Sequence, residues 1–193
     1  MTGRKLKVGV LALQGAFLEH CSSLEKCGCT AVEVRQPEQM TDLEGLIIPG
    51  GESTTIGKLM EIYGFPPVIK ERVEAGMPVY GTCAGLILLA KDIVGSDQPR
   101  LGMMDVRVLR NGYGRQVESF EADLLVDPLG EGPFRGVFIR APRIIEVSPE
   151  VDVLGRFNQE PVVVRQGRLL ASCFHPELTG DTRLHRYFLS MIG

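Results

Sequence analysis

The stretch Val79-Tyr80-Gly81-Thr82-Cys83-Ala84-Gly85-Leu86-Ile87-Leu88-Leu89-Ala90 decides how this chain folds. A short apolar segment runs into Gly81, a cysteine follows two residues later, and a leucine-rich segment begins after Gly85. The pattern reads as a strand, a tight turn carrying a nucleophile, and a helix, the G-x-(Ser/Cys)-x-G elbow. At so sharp a reversal a side chain at −2 or +2 would collide with a neighbouring strand or helix, so both flanking positions call for glycine. The turn should hold the sulfur clear of the sheet at the positive end of the following helix, where thiolate is favoured over thiol. An isolated cysteine would be read as a small buried hydrophobe; the elbow makes Cys83 a candidate nucleophile.

Outward from the elbow the chain alternates short apolar strands with helical segments. Val8–Leu13 is apolar on both faces, as a buried parallel strand is. A helix is expected from Ala16 to Cys27, with Phe17, Cys21 and Leu24 on its core stripe and Gly28 as its stop. Strands follow at 31–34 and 46–48, and Pro66 to Glu74 reads as a helix before the strand that delivers Cys83. Such alternation implies right-handed crossovers and an open, mostly parallel sheet with helices on both faces, a flavodoxin-like three-layer α/β fold. The second half is richer in strands, at 106–109, 122–125, 137–139, 151–154, 161–164 and 169–174. A last helix groups Leu184, Tyr187, Phe188 and Met191 on one face. No repeat or linker interrupts the chain, so residues 1–193 are expected to form a single domain.

Bulk properties narrow the function. A chain of 193 residues can bury about 70% of its unfolded surface without metals or disulfides. The net charge of −3 argues against nucleic-acid binding, which asks for a basic face. The five cysteines match no zinc spacing and read as reduced thiols of a cytoplasmic protein, with no metal expected. The basic start followed by Val8–Leu13 imitates a signal peptide, but the apolar run is too short and lacks an A-x-A site; no segment reaches membrane-spanning length.

A cysteine nucleophile needs a base, and the base an orienter. His20 and His185 fall in helices and read as surface or helix-packing residues. His175 ends a strand in Phe174-His175-Pro176-Glu177, and open parallel sheets place their sites at the carboxyl ends of strands. Pro176 keeps His175 extended, so His175 and Glu177 can project to one side. A carboxylate there can take the imidazole N–H and leave the other nitrogen to Cys83, giving a Cys83/His175/Glu177 triad. The Ala84 N–H is the first candidate oxyanion donor. The Gly51 N–H, in Pro49-Gly50-Gly51-Glu52-Ser53-Thr54-Thr55, is the second.

Pro-Gly-Gly-Glu-Ser-Thr-Thr (49–55), Gly-Thr-Cys-Ala-Gly (81–85) and Phe-His-Pro-Glu-Leu-Thr (174–179) together resemble the class I, triad-type glutamine amidotransferases. Leu13-Gln14-Gly15, Arg110-Asn111-Gly112-Tyr113-Gly114-Arg115-Gln116 with Ser119-Phe120-Glu121, and Phe138-Ile139-Arg140-Ala141-Pro142 are similar, more narrowly, to the glutaminase subunits of pyridoxal 5'-phosphate synthase. The resemblance implies hydrolysis of L-glutamine to glutamate and ammonia through a thioester on Cys83. It implies substrate contacts from Gly51, Glu52, Ser53, Arg110, Ile139 and Arg140. It implies a synthase partner, a TIM barrel in a double hexameric ring, and no PLP, metal or nucleotide on the glutaminase itself. It also carries the expectation that the Gly50–Gly51 peptide is misoriented until the partner docks, with Gln14 sensing that partner. Gly112 departs from the usual bulkier residue, which is expected to loosen its loop without removing function. Three other readings remain: the glutaminase of imidazole glycerol phosphate synthase, which lacks the last two motifs; a stand-alone cysteine peptidase or γ-glutamyl hydrolase; and an inactive flavodoxin-like binding module.

Overall fold

The computed structural model describes residues 4–114 and 118–193. The apolar segments form a seven-stranded sheet in which β1 (Lys7–Leu11), β2 (Thr30–Val34), β3 (Gly45–Ile48), β4 (Val79–Thr82) and β12 (Leu169–Ser172) run parallel. Two antiparallel strands, β11 (Glu160–Gln166) and β10 (Asp152–Phe157), extend one edge, giving the order β10-β11-β12-β4-β3-β1-β2. β3, β4 and β12 are buried at every position, as strands covered on both faces must be. Helices α1 (Phe17–Lys26), α2 (Ser53–Tyr63), α3 (Phe65–Glu74), α4 (Ala84–Leu89) and α5 (Arg183–Ser190) supply the outer layers of the three-layer α/β arrangement. The core includes Tyr80, Phe65, Phe174 and Phe188, all fully buried.

Two smaller sheets lie outside this frame. One joins β5 (Ala90–Ile93), β6 (Met104–Leu109) and β9 (Arg143–Val147); the other is the hairpin of β7 (Ser119–Leu124) and β8 (Phe134–Ile139). Phe120 and Phe138 stack across that hairpin at 4.5 Å and join Phe157 and Phe174 in an aromatic cluster, which ties the hairpin to the main sheet. β8 reaches the site directly, because the His175 N–H donates to the Val137 carbonyl at 2.8 Å.

Several sequence expectations need correction. Two helices, not one, fill the interval between β3 and β4, because Gly64 takes a left-handed φ of 76° and ends α2 just before Pro66 and Pro67 start α3. The leucine-rich helix after the elbow stops at Leu89, and Ala90–Ile93 becomes a strand. The buried face of α1 carries His20, Ser23 and Leu24, one residue round from the expected stripe, so Cys21 is only half-buried. His20 and His185, read as surface or helix-packing residues, are both 0% exposed, so the helix-packing alternative is the one that holds. Gly112 has a packing role that the sequence did not suggest. Its N–H donates to the Ala141 carbonyl at 3.0 Å, and an added Cβ would come within 2.6 Å of Arg143 Cβ, so the side chain of Arg143 lies flat against it. Arg115 and Gln116 lie outside the described residues.

Candidate active site

The elbow is built as its glycines require. A Cβ on Gly81 would meet the Gly85 carbonyl group at 2.6 Å, and one on Gly85 would overlap the Ile48 carbonyl of β3. Between them Cys83 takes φ 50° and ψ −100°, strained for a residue with a side chain. The strain is held by its neighbours. The Cys83 N–H donates to the Ser172 carbonyl at 2.9 Å, and the Cys83 carbonyl accepts from the Ile87 N–H at 3.3 Å, so one bond ties the turn to β12 and the other to α4.

β12 lies beside β4, and the chain leaving its end carries His175 to the same rim. Gly50 marks how closely the groups meet: an added Cβ there would strike the His175 ring and stand 3.3 Å from Cys83 Cβ. His175 Nδ1–H donates to Glu177 Oε1 at 2.7 Å, and Glu177 is buried on the far side of the ring. Burial acts to lower the His175 pKa, but its interactions with the Cys83 sulfur and Glu177 outweigh this and raise it to about 10. Burial acts to raise the Glu177 carboxyl, yet His20 and His175 beside it hold the carboxyl below its ordinary value. The result is an imidazolium facing the sulfur with a carboxylate behind it, the charge arrangement cysteine acyl transfer uses.

In front of the sulfur lies a cleft of about 270 Å³ lined by Gln14, Gly51, Glu52, Ser53, Cys83, Ala84, Ile87, Arg110, Asn111, Ile139, Arg140 and His175. Every substrate and oxyanion residue expected from the sequence is on that wall. Glu177 stands behind it. Glu52 caps α2, its carboxylate accepting from the Thr55 hydroxyl at 2.7 Å and from the Thr54 and Thr55 N–H groups at 3.2 and 2.7 Å, and these bonds, the hydroxyl's foremost, lower its pKa. Arg110 donates to Glu52 Oε1 at 3.4 Å and to Thr54 Oγ1 at 3.3 Å, long contacts that leave its guanidinium facing the cleft. Arg140 sits at the end of β8 with φ 41°, a left-handed conformation that turns the chain at the cleft edge. The cleft therefore counts two arginines, Arg110 and Arg140, and one acidic residue, Glu52, among the residues that line it with Cys83, a composition that suits a small zwitterion.

The Gly50–Gly51 peptide is gripped from the β1–α1 loop. The Gly50 carbonyl accepts from the Ala16 N–H at 3.0 Å, and Gln14 Oε1 accepts from the Glu52 N–H at 2.7 Å. Gly15, at φ 100°, lets this loop approach, since a Cβ there would overlap the Gly50 carbonyl. Sequence reasoning missed the groups behind the triad. His20 Nε2 lies 3.3 Å from Glu177 Oε2 and 3.1 Å from Thr82 Oγ1, and His20 Nδ1 lies 3.0 Å from His185 Nε2. Polar residues in amphipathic helices ordinarily face water, and nothing in their spacing marked these two as buried.

The sequence profile of the SNO glutamine amidotransferase family, by its description, matches residues 10–193. A pyridoxal 5'-phosphate synthase subunit PdxT from Pelotomaculum thermopropionicum is 63% identical over 185 residues, covering 95% of this chain and 94% of the relative. The protein of the same name from Moorella thermoacetica is 58% identical over 97% of this chain and 100% of its own length. Among solved structures, one described as a glutamine amidotransferase superposes with a TM-score of 0.93 at 57% identity, covering 96% of this chain and 98% of that one. PurLQS from Thermotoga maritima superposes at 0.75 with 16% identity over 98% of this chain and 100% of that one, a likeness of fold alone. With the profile spanning nearly all of a chain that carries the elbow and its histidine, the protein belongs to the SNO glutamine amidotransferase family.

Proposed function

We propose that residues 1–193 form one glutaminase domain that hydrolyses L-glutamine and passes ammonia to the synthase subunit of pyridoxal 5'-phosphate synthase. What carries the reading is the juxtaposition of Cys83, in its strained elbow, with a His175 already hydrogen-bonded to Glu177 at 2.7 Å. Near-full-length relatives named as PdxT subunits support the synthase as partner. The five free thiols support a cytoplasmic site of action. No helix among the described residues is long and apolar enough to cross a membrane.

The Cys83 sulfur attacks the side-chain amide carbon of glutamine, and the new oxyanion is held by the Ala84 and Gly51 N–H groups. His175 gives its proton to the amide nitrogen as the C–N bond breaks, releasing ammonia and leaving a γ-glutamyl thioester. His175, now neutral, takes a proton from water, whose oxygen attacks the thioester carbon, and the sulfur leaves as glutamate forms. Glu177 keeps the ring aligned throughout. Arg110 and Arg140 meet the substrate α-carboxylate and Glu52 its ammonium, while Ser53 and Ile139 close the wall; a charge-assisted bond from either arginine contributes about 1.5–3 kcal/mol.

Productive geometry requires the Gly51 N–H to point into the cleft. The grip of Ala16 on the Gly50 carbonyl makes the β1–α1 loop the lever by which a docked synthase turns that peptide. One oxyanion donor is worth ~10²–10³ in rate, so the isolated chain is expected to be nearly silent. The deciding assay measures ammonia release from glutamine with and without synthase subunit, beside Cys83→Ala. We expect activity only in the complex and a loss on the order of 10⁴-fold or more in the variant. Equal turnover by wild type and Cys83→Ala would remove the reading.

A further inference from the structure

We propose that His20, held in one tautomer by His185, is a positioning residue of the triad, acting on the back of Glu177 as Glu177 acts on His175. The inference rests on the glutaminase reading above and extends its chain of contacts by two side chains from distant helices.

Glu177 has two oxygens and two different neighbours. Oε1 accepts from His175 Nδ1 at 2.7 Å. Oε2 is buried, makes no aligned hydrogen bond among the described residues, and has His20 Nε2 at 3.3 Å. A buried carboxylate oxygen needs a donor in order to remain charged. The identity of that donor follows from proton counting. His20 and His185 are both fully buried, and burial lowers the pKa of each, His185 to about 3, so both rings are neutral at pH 7. One proton lies between His20 Nδ1 and His185 Nε2, 3.0 Å apart.

If His20 carried it, His20 Nε2 would present a lone pair to the carboxylate, and His185 Nδ1–H would be a buried donor without an acceptor. If His185 carries it, His20 Nε2 bears a proton that Thr82 Oγ1 accepts at 3.1 Å, and this N–H lies 3.3 Å from Glu177 Oε2, where it offers the carboxylate positive charge in place of a lone pair. The cost then is one unmet lone pair on His185 Nδ1, and that atom indeed has no hydrogen-bond partner among the described residues. An orphaned acceptor is cheaper than an orphaned N–H. The second arrangement therefore wins, and His185 sets the His20 tautomer as Glu177 sets that of His175.

The arrangement fixes the plane of the Glu177 carboxylate and keeps it ionised. The groups that face Glu177 are His175 with Cys83 beyond it, His20 with Glu19 further along α1, Tyr80 on β4 and His185 on α5. β8 packs on the same turn but directs its charged residue, Arg135, to Glu121 and Asp123. His20 is thus the one member of α1 placed to present an N–H to Oε2.

The test uses the complex with the synthase subunit and compares wild type, His20→Leu and His20→Gln, whose side-chain N–H can stand near the position of Nε2. We expect His20→Leu to lose ~10–10² in kcat, the worth of a hydrogen bond to a charged group, with KM within about twofold of wild type. The acid limb of its kcat/KM profile should move up by about one pH unit, because Glu177 without that N–H beside it takes a proton more readily. His20→Gln should restore the limb and most of kcat. An unmoved limb in His20→Leu, or equal losses in both variants explained by a lower folded fraction, would overturn the proposal. A wild-type complex that releases no ammonia would instead overturn the glutaminase reading. Should His20→Leu fail to fold, imidazole ¹⁵N shifts of the wild-type chain still decide the matter. His20 must show a protonated Nε2 and a bare Nδ1, and the reverse tautomer refutes it.

Discussion

Acidification should unfold this protein earlier than its carboxylates alone would, and His185 supplies the measurable part. Its ring is fully buried and neutral, with a folded-state pKa lowered to about 3. The unfolded chain binds a proton on the same ring at about 6.5. A histidine depressed in this way costs stability as pH falls through the unfolded value, and the loss continues until the folded value is reached. At pH 5 the gap is roughly 1.5 units at about 1.36 kcal/mol each, so His185 alone costs about 2 kcal/mol relative to pH 7. His20, lowered in the same direction, adds to the loss. His175 opposes it: raised to about 10, it stabilises fully below the unfolded value, and most of that is already present at pH 7. Glu177, with its pKa lowered, contributes stability that is lost only below the usual carboxylate range and so stays out of this window.

The assay is urea unfolding of the isolated chain at pH 7 and pH 5, beside His185→Gln, which keeps a side-chain N–H for His20 Nδ1 but does not titrate. The stability of the wild type relative to the variant should fall by about 2 kcal/mol between the two pH values, with unchanged m-values. A difference that stays constant with pH would refute the reasoning, because it would mean that the buried ring either binds its proton in the folded chain or is not buried.

Three further outcomes can be checked. Gly85→Ala places a methyl group on the Ile48 carbonyl and should cost about 1–3 kcal/mol by overpacking, lowering Tm and displacing the sulfur enough to abolish turnover in the complex. Arg110→Ala removes a guanidinium that only long contacts hold, and should raise the KM for glutamine by roughly 10–100-fold while kcat falls less. Cys173→Ser should keep its ammonia release in the complex, since that thiol, just past the end of β12, is fully buried, pushed up in pKa by burial, and 3.8 Å from the Pro161 carbonyl.

The elbow was legible because its constraint is steric and local: Gly81 and Gly85 are required by atoms of their own turn and of β3, so five residues announce the geometry. His175 and Glu177 could be read for a similar reason, since Pro176 restricts both neighbours to one arrangement at a strand end. What escaped reading depends on groups distant in sequence. Ala90–Ile93 continues a run of leucines that are buried on every side, so no periodicity marks where α4 gives way to β5. α2 contains Gly57, a poor helix former, which is tolerated because a Cβ there would press on the Pro99 carbonyl at 2.6 Å. His20 and His185 are 165 residues apart, and only the packing of α1 beside α5 turns two ordinary helix polar residues into a buried pair. Gly112, judged from its own flexibility, packs against a residue of another strand, Arg143, whose guanidinium is clamped by Glu160.

The strand order also fixes when the enzyme can exist. β12 lies in the interior of the sheet between β4 and β11, yet it is the last strand to leave the ribosome. A nascent chain that already displays its elbow has neither the Ser172 carbonyl that holds Cys83 nor the imidazole that follows. Translation therefore delivers the nucleophile long before its base, and an interrupted or clipped product drains no amino-nitrogen from the cell.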